Sequence, residues 1–302
     1  MKKLFILTAL LLPLALSACN DDSKSEQDSQ QNSSEAQTQQ TEHNRTQVIT
    51  YFEGVFKDKK VKEFSDRYLA ENYIQHNPFL PDGKQPFIDF FEKRFADNPD
   101  AQYNIVRSLA ENDLVLLQVK GKLNTDAATN AGFDLFRVEN GIIVEHWDVN
   151  QSVPENERTT TNPEVMFDGA NKTNLSPAET AANKELVTAF VKGVFEQHKV
   201  REFSDRYLAD HYIQHNPWIG DGKAPFVSFF EQLFKDDPSA EYEVKRVIAD
   251  GNLVAVHLRS QQSGQPENAG FDIFRVENGK IVEHWDANQS VPENSANSNT
   301  MF

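Results

Sequence analysis

The sequence predicts an α+β chain of two tandem domains, each with helices packed on one face of a mostly antiparallel sheet. Three observations predict it. The chain is written twice: KEFSDRYLAENYIQHNP at 62–78 returns as REFSDRYLADHYIQHNP at 201–217, and FDLFRVENGIIVEHWDVNQSVPEN from Phe133 returns as FDIFRVENGKIVEHWDANQSVPEN from Phe271. The offset is 139 residues in the first block and 138 in the second, far beyond the roughly 20–50 residues of a solenoid unit, so a whole domain is duplicated. Within each copy the hydrophobic period changes from helical to alternating, which places helices before strands. The 302 residues with 22 phenylalanines suit two bodies of about 120 residues, each large enough for its own core.

The elements follow in order. Lys2 and Lys3 precede an apolar run from Leu4 to Leu16 that is too short to span a bilayer and has the layout of a signal peptide. Leu16-Ser17-Ala18-Cys19 resembles a bacterial lipobox, in which the cysteine is lipidated and becomes the first mature residue. Cys19 is the only cysteine, so no intrachain disulfide forms. Residues 20–42 are Asp, Ser, Gln, Glu and Asn with almost nothing apolar, which predicts a disordered tether. These features predict a lipid-anchored protein of the bacterial cell envelope, facing the periplasm or the exterior. The net charge of −16 repels phosphate backbones and disfavours nucleic acid as a partner.

The first domain is expected over 43–167, a linker over 168–181 and the second domain over 182–302. Val48, Ile49, Phe52, Val55 and Phe56 share a helical face, as do Val187, Val191, Val194 and Phe195. KEFSDRYL and REFSDRYL predict a second helix; Tyr73–His76 and Tyr212–His215 predict a brief strand closed by Asn-Pro. Pro86 and Pro225 open a third helix, whose Phe87, Phe90, Phe91 and Phe95 (Phe226, Phe229, Phe230 and Phe234 in the repeat) are expected in the core. Runs near 102–110, 113–123, 131–139 and 142–150 alternate as strands, with Asn140-Gly141 and Asn278-Gly279 as hairpin turns.

Asp134 and Asp272 share a strand face with Phe136 and Val138, or with Phe274 and Val276. A carboxylate on an apolar face is either partnered or raised in pKa. His146 and Asp148, with His284 and Asp286, alternate on one face of the last strand. They fit either a pocket or a structural network around the tryptophan between them. His76 and His215 close the short strand. A metal set of His76, His146 and Asp134 is weighed, but no HExxH or paired short-spaced ligand motif is present. The expectation is therefore no metal and no cofactor. A Gly-x-Ser-x-Gly elbow and a P-loop are also absent.

The order of elements, His-Asn-Pro after the short strand, and D-[LI]-F-R-V-E-N-G-x-I-V-E-H-W-D in the last hairpin resemble the SnoaL-like branch of the NTF2-like superfamily. NPEVMF at 162–167 and NTMF at 299–302 resemble the ends of such domains. The resemblance implies a cone with an apolar pocket and cofactor-independent proton transfer beside a carbonyl, of aldol, cyclase or isomerase type. The alternative is a non-catalytic binding or interaction module. It implies Asp272 as the base with His257 and His215 as partners, and Asp134 with His76 in the first copy. Gln118 stands where the second copy has His257, so the second domain is expected to be the better enzyme. Gln118, His146, Asp148, His284, Asp286 and Trp218 are expected at the pocket. The copies also differ at Asn72/His211 and Phe79-Leu80/Trp218-Ile219, residues expected to flank its mouth. Because such domains pair through their sheets, the resemblance implies an internal pseudo-dimer, and a small apolar ligand as partner beside the bilayer.

Overall fold

A computed structural model describes residues 22–154 and 165–302, with side chains from residue 35. The signal peptide, Cys19 and the start of NPEVMF lie outside the described residues. Helix α1 (Asp22–Phe52) begins inside the stretch expected as a tether. Its Glu, Gln and Lys residues are good helix formers, which low hydrophobicity alone does not reveal. Burial starts at Asn44 and Arg45.

In each copy the first helix ends in one π turn, Glu53–Lys57 and Lys192–Glu196. There Asp58 N–H donates to the Glu53 carbonyl at 2.9 Å. Gly54 sits in this turn because a Cβ there would lie 2.2 Å from the Phe64 ring; Gly193 meets Phe203 in the same way. Helix α2 (Val61–Tyr68) leads directly into β1 (Leu69–Gln75), a longer strand than expected, and α3 (Lys84–Asp97) follows. Strands β2 (Gln102–Glu111), β3 (Leu114–Lys122), β4 (Asn130–Glu139) and β5 (Ile142–Ser152) complete the first domain. The second contains α4 (Pro177–Val191), α5 (Val200–Tyr207), β6 (Leu208–Gln214), α6 (Lys223–Asp236), β7 (Glu241–Asp250), β8 (Leu253–Gln261), β9 (Asn268–Glu277) and β10 (Lys280–Ser290). Helix α4 starts within the expected linker, where Ser176 and Glu179 form a capping box around Pro177.

Both sheets have five strands, ordered β1-β5-β4-β3-β2 and β6-β10-β9-β8-β7. Only the short strand runs parallel to its neighbour; the other pairs are antiparallel. Asn140 and Gly141 both adopt positive φ (51° and 79°), the primed turn that matches strand twist, and Asn278-Gly279 repeats it. One face of each sheet is covered by its own helices: Val115, Leu117, Val119, Phe136 and Val138 pack with Val48, Tyr51 and Phe87 in the first domain, and Val254, Val256, Phe274 and Val276 with Val187 and Phe226 in the second.

The other faces meet each other. Leu116, Phe133, Leu135, Trp147 and Val149 form one buried cluster with Ala255, Phe271, Ile273, Trp285 and Ala287. The Phe133 and Phe271 rings stack at 6.1 Å. Contacts here come in equivalent pairs. Asn150 N–H donates to Gln289 Oε1 and Asn288 N–H to Gln151 Oε1, both at 2.8 Å. Ala110 N–H donates to Asp250 and Ala249 N–H to Glu111. The Arg107 guanidinium lies over the Trp285 ring at 4.1 Å and that of Arg246 over Trp147 at 4.0 Å. The segments after each sheet also exchange: the Val165 carbonyl reaches His215 Nδ1 of the second domain, and the Thr300 carbonyl reaches His76 Nδ1 of the first.

Candidate functional site

Strand pairing assembles the site. Asp134 lies directly across from Asp148 in the β4–β5 pair, and Phe136 across from His146. Asp272, Asp286, Phe274 and His284 repeat this in β9–β10. All point to the helix-covered face. In each copy the two carboxylates and the histidine present ligating atoms within 4.8 Å of one another.

In the first domain the cluster faces a cavity of about 520 Å³ whose wall includes Tyr51, Phe52, Phe87, Phe91 and Tyr103; Gln289 and Ser290 of the second domain complete its rim. Exposure there is graded, since Phe87 is buried whereas Phe90, expected in the core, is 37% exposed and Phe79 is 60% exposed. These two rings edge the opening.

Hydrogen bonds fix the protons. Gln75 Oε1 accepts from Asn77 N–H at 2.9 Å, which sets the orientation of the amide. His146 Nδ1, 2.9 Å from the same oxygen, must therefore carry a proton. Its Nε2 lies 3.1 Å from Asp134 Oδ1. The second copy repeats the chain: His284 Nδ1 to Gln214 Oε1 at 2.8 Å and Nε2 to Asp272 Oδ1 at 2.7 Å. Burial lowers the proton affinity of His284, but the hydrogen bond and charge of Asp272, with the charge of Asp286, outweigh it and raise the pKa.

Asp148 accepts through Oδ2 from Asn77 at 2.7 Å and Asn150 at 2.8 Å. Its Oδ1 has no partner among the described residues although the residue is 5% exposed. Burial, with the nearby Asp134 charge adding, pushes this carboxyl up to about 6, against the pull of His146 and the two amides. Asp286 is likewise pushed by burial to about 6, but Asn216 reaches both of its oxygens, at 3.1 and 2.8 Å. A second difference is Tyr51, which is Phe190 in the repeat. The Tyr51 hydroxyl is buried at the cavity wall next to the Ser65 side chain. Burial, then the Asp134 charge, raises its pKa well above the ordinary phenol range.

Other residues expected at the site lie elsewhere. His257 pairs across from Phe271 and stacks on it at 4.2 Å, whereas Val256 faces Asp272. His257 is thus on the opposite side of the sheet, where burial and then Arg246 lower its pKa to about 3 and keep it neutral. Gln118 faces the same way, accepting from Arg107 at 2.6 Å and donating to the Met166 carbonyl at 2.9 Å. His76 and His215 are also turned from the cavity. Each stacks on a tryptophan, Trp147 at 4.6 Å and Trp285 at 4.8 Å, and binds a glutamate, Glu145 or Glu283, at 2.8 Å. The weighed metal set fails for that reason. Asn72 and His211 point to solvent, and Trp218 is 47% exposed at the position equivalent to Phe79. Arg94 and Lys122, absent from the sequence reading, both line the cavity.

A family model described as SnoaL-like domain matches residues 48–146 and 187–284. No curated protein sequence matches the chain. Among solved structures, a candidate polyketide cyclase from Acidithiobacillus ferrooxidans is similar at 20% identity, covering 38% of this chain and 92% of that one, with a TM-score of 0.32. A candidate ketosteroid isomerase from Kribbella flavida is similar at 19% identity, covering 38% and 83%, with a TM-score of 0.33. An NTF2-like protein of unknown function from Mesorhizobium loti is similar at 16% identity, covering 39% and 99%, with a TM-score of 0.34.

Proposed function

Starting from a chain that belongs to the SnoaL-like domain family, we propose that its first domain transfers a proton beside the carbonyl of a small, largely apolar compound, without a cofactor. The observation that carries this reading is the buried Asp148 Oδ1, without a partner among the described residues, facing an aromatic cavity beside the hydrogen-bonded Asp134–His146 pair. A carboxyl with a pKa near 6 takes a proton from carbon and returns it at neutral pH more readily than one near 4. Asp148 Oδ1 is the acceptor; burial raises its affinity, with Asp134 adding to it and His146 opposing. The Tyr51 hydroxyl supplies a hydrogen bond to the carbonyl oxygen as negative charge develops there.

The test is deuterium exchange at the α-carbons of 2-tetralone in heavy water, followed by proton NMR with the full chain. Asp148→Asn should remove the protein-dependent exchange, and Tyr51→Phe should slow it by about 10²-fold, the usual loss for one donor to a developing oxyanion. An Asp148→Asn variant as active as the unaltered protein sinks the mechanism.

The second domain fits the non-catalytic alternative. Asp286 has both oxygens engaged and Phe190 replaces the phenol, so it is proposed to bind or to buttress. This reverses the sequence expectation that the second copy is the better enzyme, which rested on His257. The two domains are further proposed to act as an internal pseudo-dimer, supported by the paired contacts between their sheets. Sedimentation that found the chain dimerising through these faces with another copy would oppose it. The proposed setting is the bacterial envelope, anchored by acylated Cys19. Retention of a Cys19→Ser variant in the membrane fraction would count against that anchor.

A further inference from the structure

The repeat keeps the apolar residues that line the first cavity but not its cations. Phe87, Phe90 and Phe91 line the first cavity, and the repeat keeps Phe226, Phe229 and Phe230. Arg94 and Lys122 line it too; their counterparts are Leu233 and Gln261. Both cations have been kept, or gained, only where the acceptor oxygen is free and the phenol is present.

Their surroundings leave them available. Both are half-buried, and neither has a carboxylate partner among the described residues. Lys84 and Lys223, also partly buried, are by contrast ion-paired, with Glu71 and Asp210. The Arg94 guanidinium lies 5.8 Å from the centre of the Phe90 ring, which holds it along the edge of the opening. Asp134 and Asp148 are the acids of the wall. Asp148 is buried at 5% exposure and its Oδ2 is tied to Asn77 and Asn150, whereas the two cations are half-buried. In a chain of net charge −16, an anion is repelled from most of the surface, and two unpaired cations on one cavity wall create a local exception.

We infer that the ligand of the first cavity is an organic carboxylate, with a flat apolar body between the phenylalanines and its acid group held outward by Arg94 and Lys122. Arginine and lysine supply the fork and the point charge that recognise a carboxylate at the edge of water. Outward anchoring sends the opposite end of the molecule toward Asp148 and Tyr51. The inference rests on the first cavity being the working site, and it narrows the substrate class from apolar carbonyl compounds to those that also carry an acid.

The experiment is calorimetric titration of the full chain with 2-naphthoate and with the neutral isostere 2-naphthamide. Naphthoate should bind about tenfold more tightly, the ratio expected of one good charge-assisted contact. Arg94→Leu and Lys122→Gln, which install the residues of the second copy, should each weaken naphthoate several-fold and together bring it to the level of the amide. Naphthamide binding should change by less than about twofold, which also reports that the variants are folded. Equal affinity for the two probes, no naphthoate binding at millimolar concentration, or equal weakening of both probes by the variants overturns the inference. Both probes are inert, so the result stands apart from whether 2-tetralone exchanges.

Discussion

Replacing Asp148 by asparagine tests the electrostatics of the site directly, and it should make the protein more stable. A carboxyl whose folded pKa exceeds its unfolded value holds its proton more tightly when folded. Its burial therefore costs nothing below the unfolded value of 3.8 and costs most above the folded value of about 6. The difference corresponds to about 3 kcal/mol, at about 1.4 kcal/mol for each tenfold change in proton affinity. The amide keeps part of the existing geometry, because its oxygen takes the place of Oδ2 and accepts from Asn77 and Asn150. Its nitrogen takes the place of Oδ1, which has no partner among the described residues. The bonds from Asn77 and Asn150 already count in the folded value of about 6, so the expected gain stays at about 3 kcal/mol at neutral pH. Urea unfolding followed by tryptophan fluorescence from about pH 4 to about pH 7.5 measures it. The advantage of the variant over the unaltered protein should be near zero at the acid end, rise between the two pKa values and then level off. Asp286→Asn should gain less or lose, because Asn216 donates to both oxygens and would meet an amide nitrogen. An Asp148→Asn variant with the same advantage at both ends of the range, or destabilised at neutral pH, would refute the reasoning.

Phe133→Ala opens a cavity between the sheets, where the ring is wholly buried against Phe271. It should cost about 3–5 kcal/mol by the same urea assay. Gly54→Ala drives a methyl group into the Phe64 ring and should lower stability by about 1–3 kcal/mol, seen as a fall in melting temperature. His257→Phe should cost about 1 kcal/mol for the lost Arg246 contact. Because His257 stays neutral in the folded protein down to about pH 3 whereas an unfolded histidine takes up a proton near 6.5, the unaltered protein should lose stability as pH falls below about 6.5, and the variant should lack that part of the slope.

The duplication, the element order and the hairpin turns were legible because each rests on local chemistry: repeated words, a helix-to-strand change of period, Asn-Gly at positive φ. His146 and Asp148 were legible as polar residues spaced by two, and Asp134 as a carboxylate on an otherwise apolar strand face. The side of the sheet taken by His257 was not. Alternation marks the inner face of a strand only when the other face is wet, and β8 from Leu253 to Leu258 is buried on both, by helices on one side and by the partner sheet on the other. Register then decides the face, and a one-residue offset between neighbouring strands reverses it. The residue that did distinguish the copies, Tyr51, was hidden among core aromatics, and its exchange for Phe190 changes no hydrophobic pattern. Arg94 and Lys122 sit on separate elements, and only the folded chain brings them to one wall.

The crossed segments at His76 and His215 have a consequence for the order in which the molecule is made. Synthesis runs from the N-terminus, and a domain ordinarily closes as soon as its own residues have emerged. Here His76 waits for Thr300, a partner 224 positions downstream, while His215 meets Val165, which was made earlier. The second domain thus finds its exchanged segment already present, whereas the first must remain open along that edge until both sheets exist. Asn299 and Asn297 of the same late segment donate to the Gln75, Asn77 and Leu80 carbonyls beside the first cavity. The first domain to be synthesised is the last to be finished, and a nascent chain has a complete first cavity only after the whole repeat has been read.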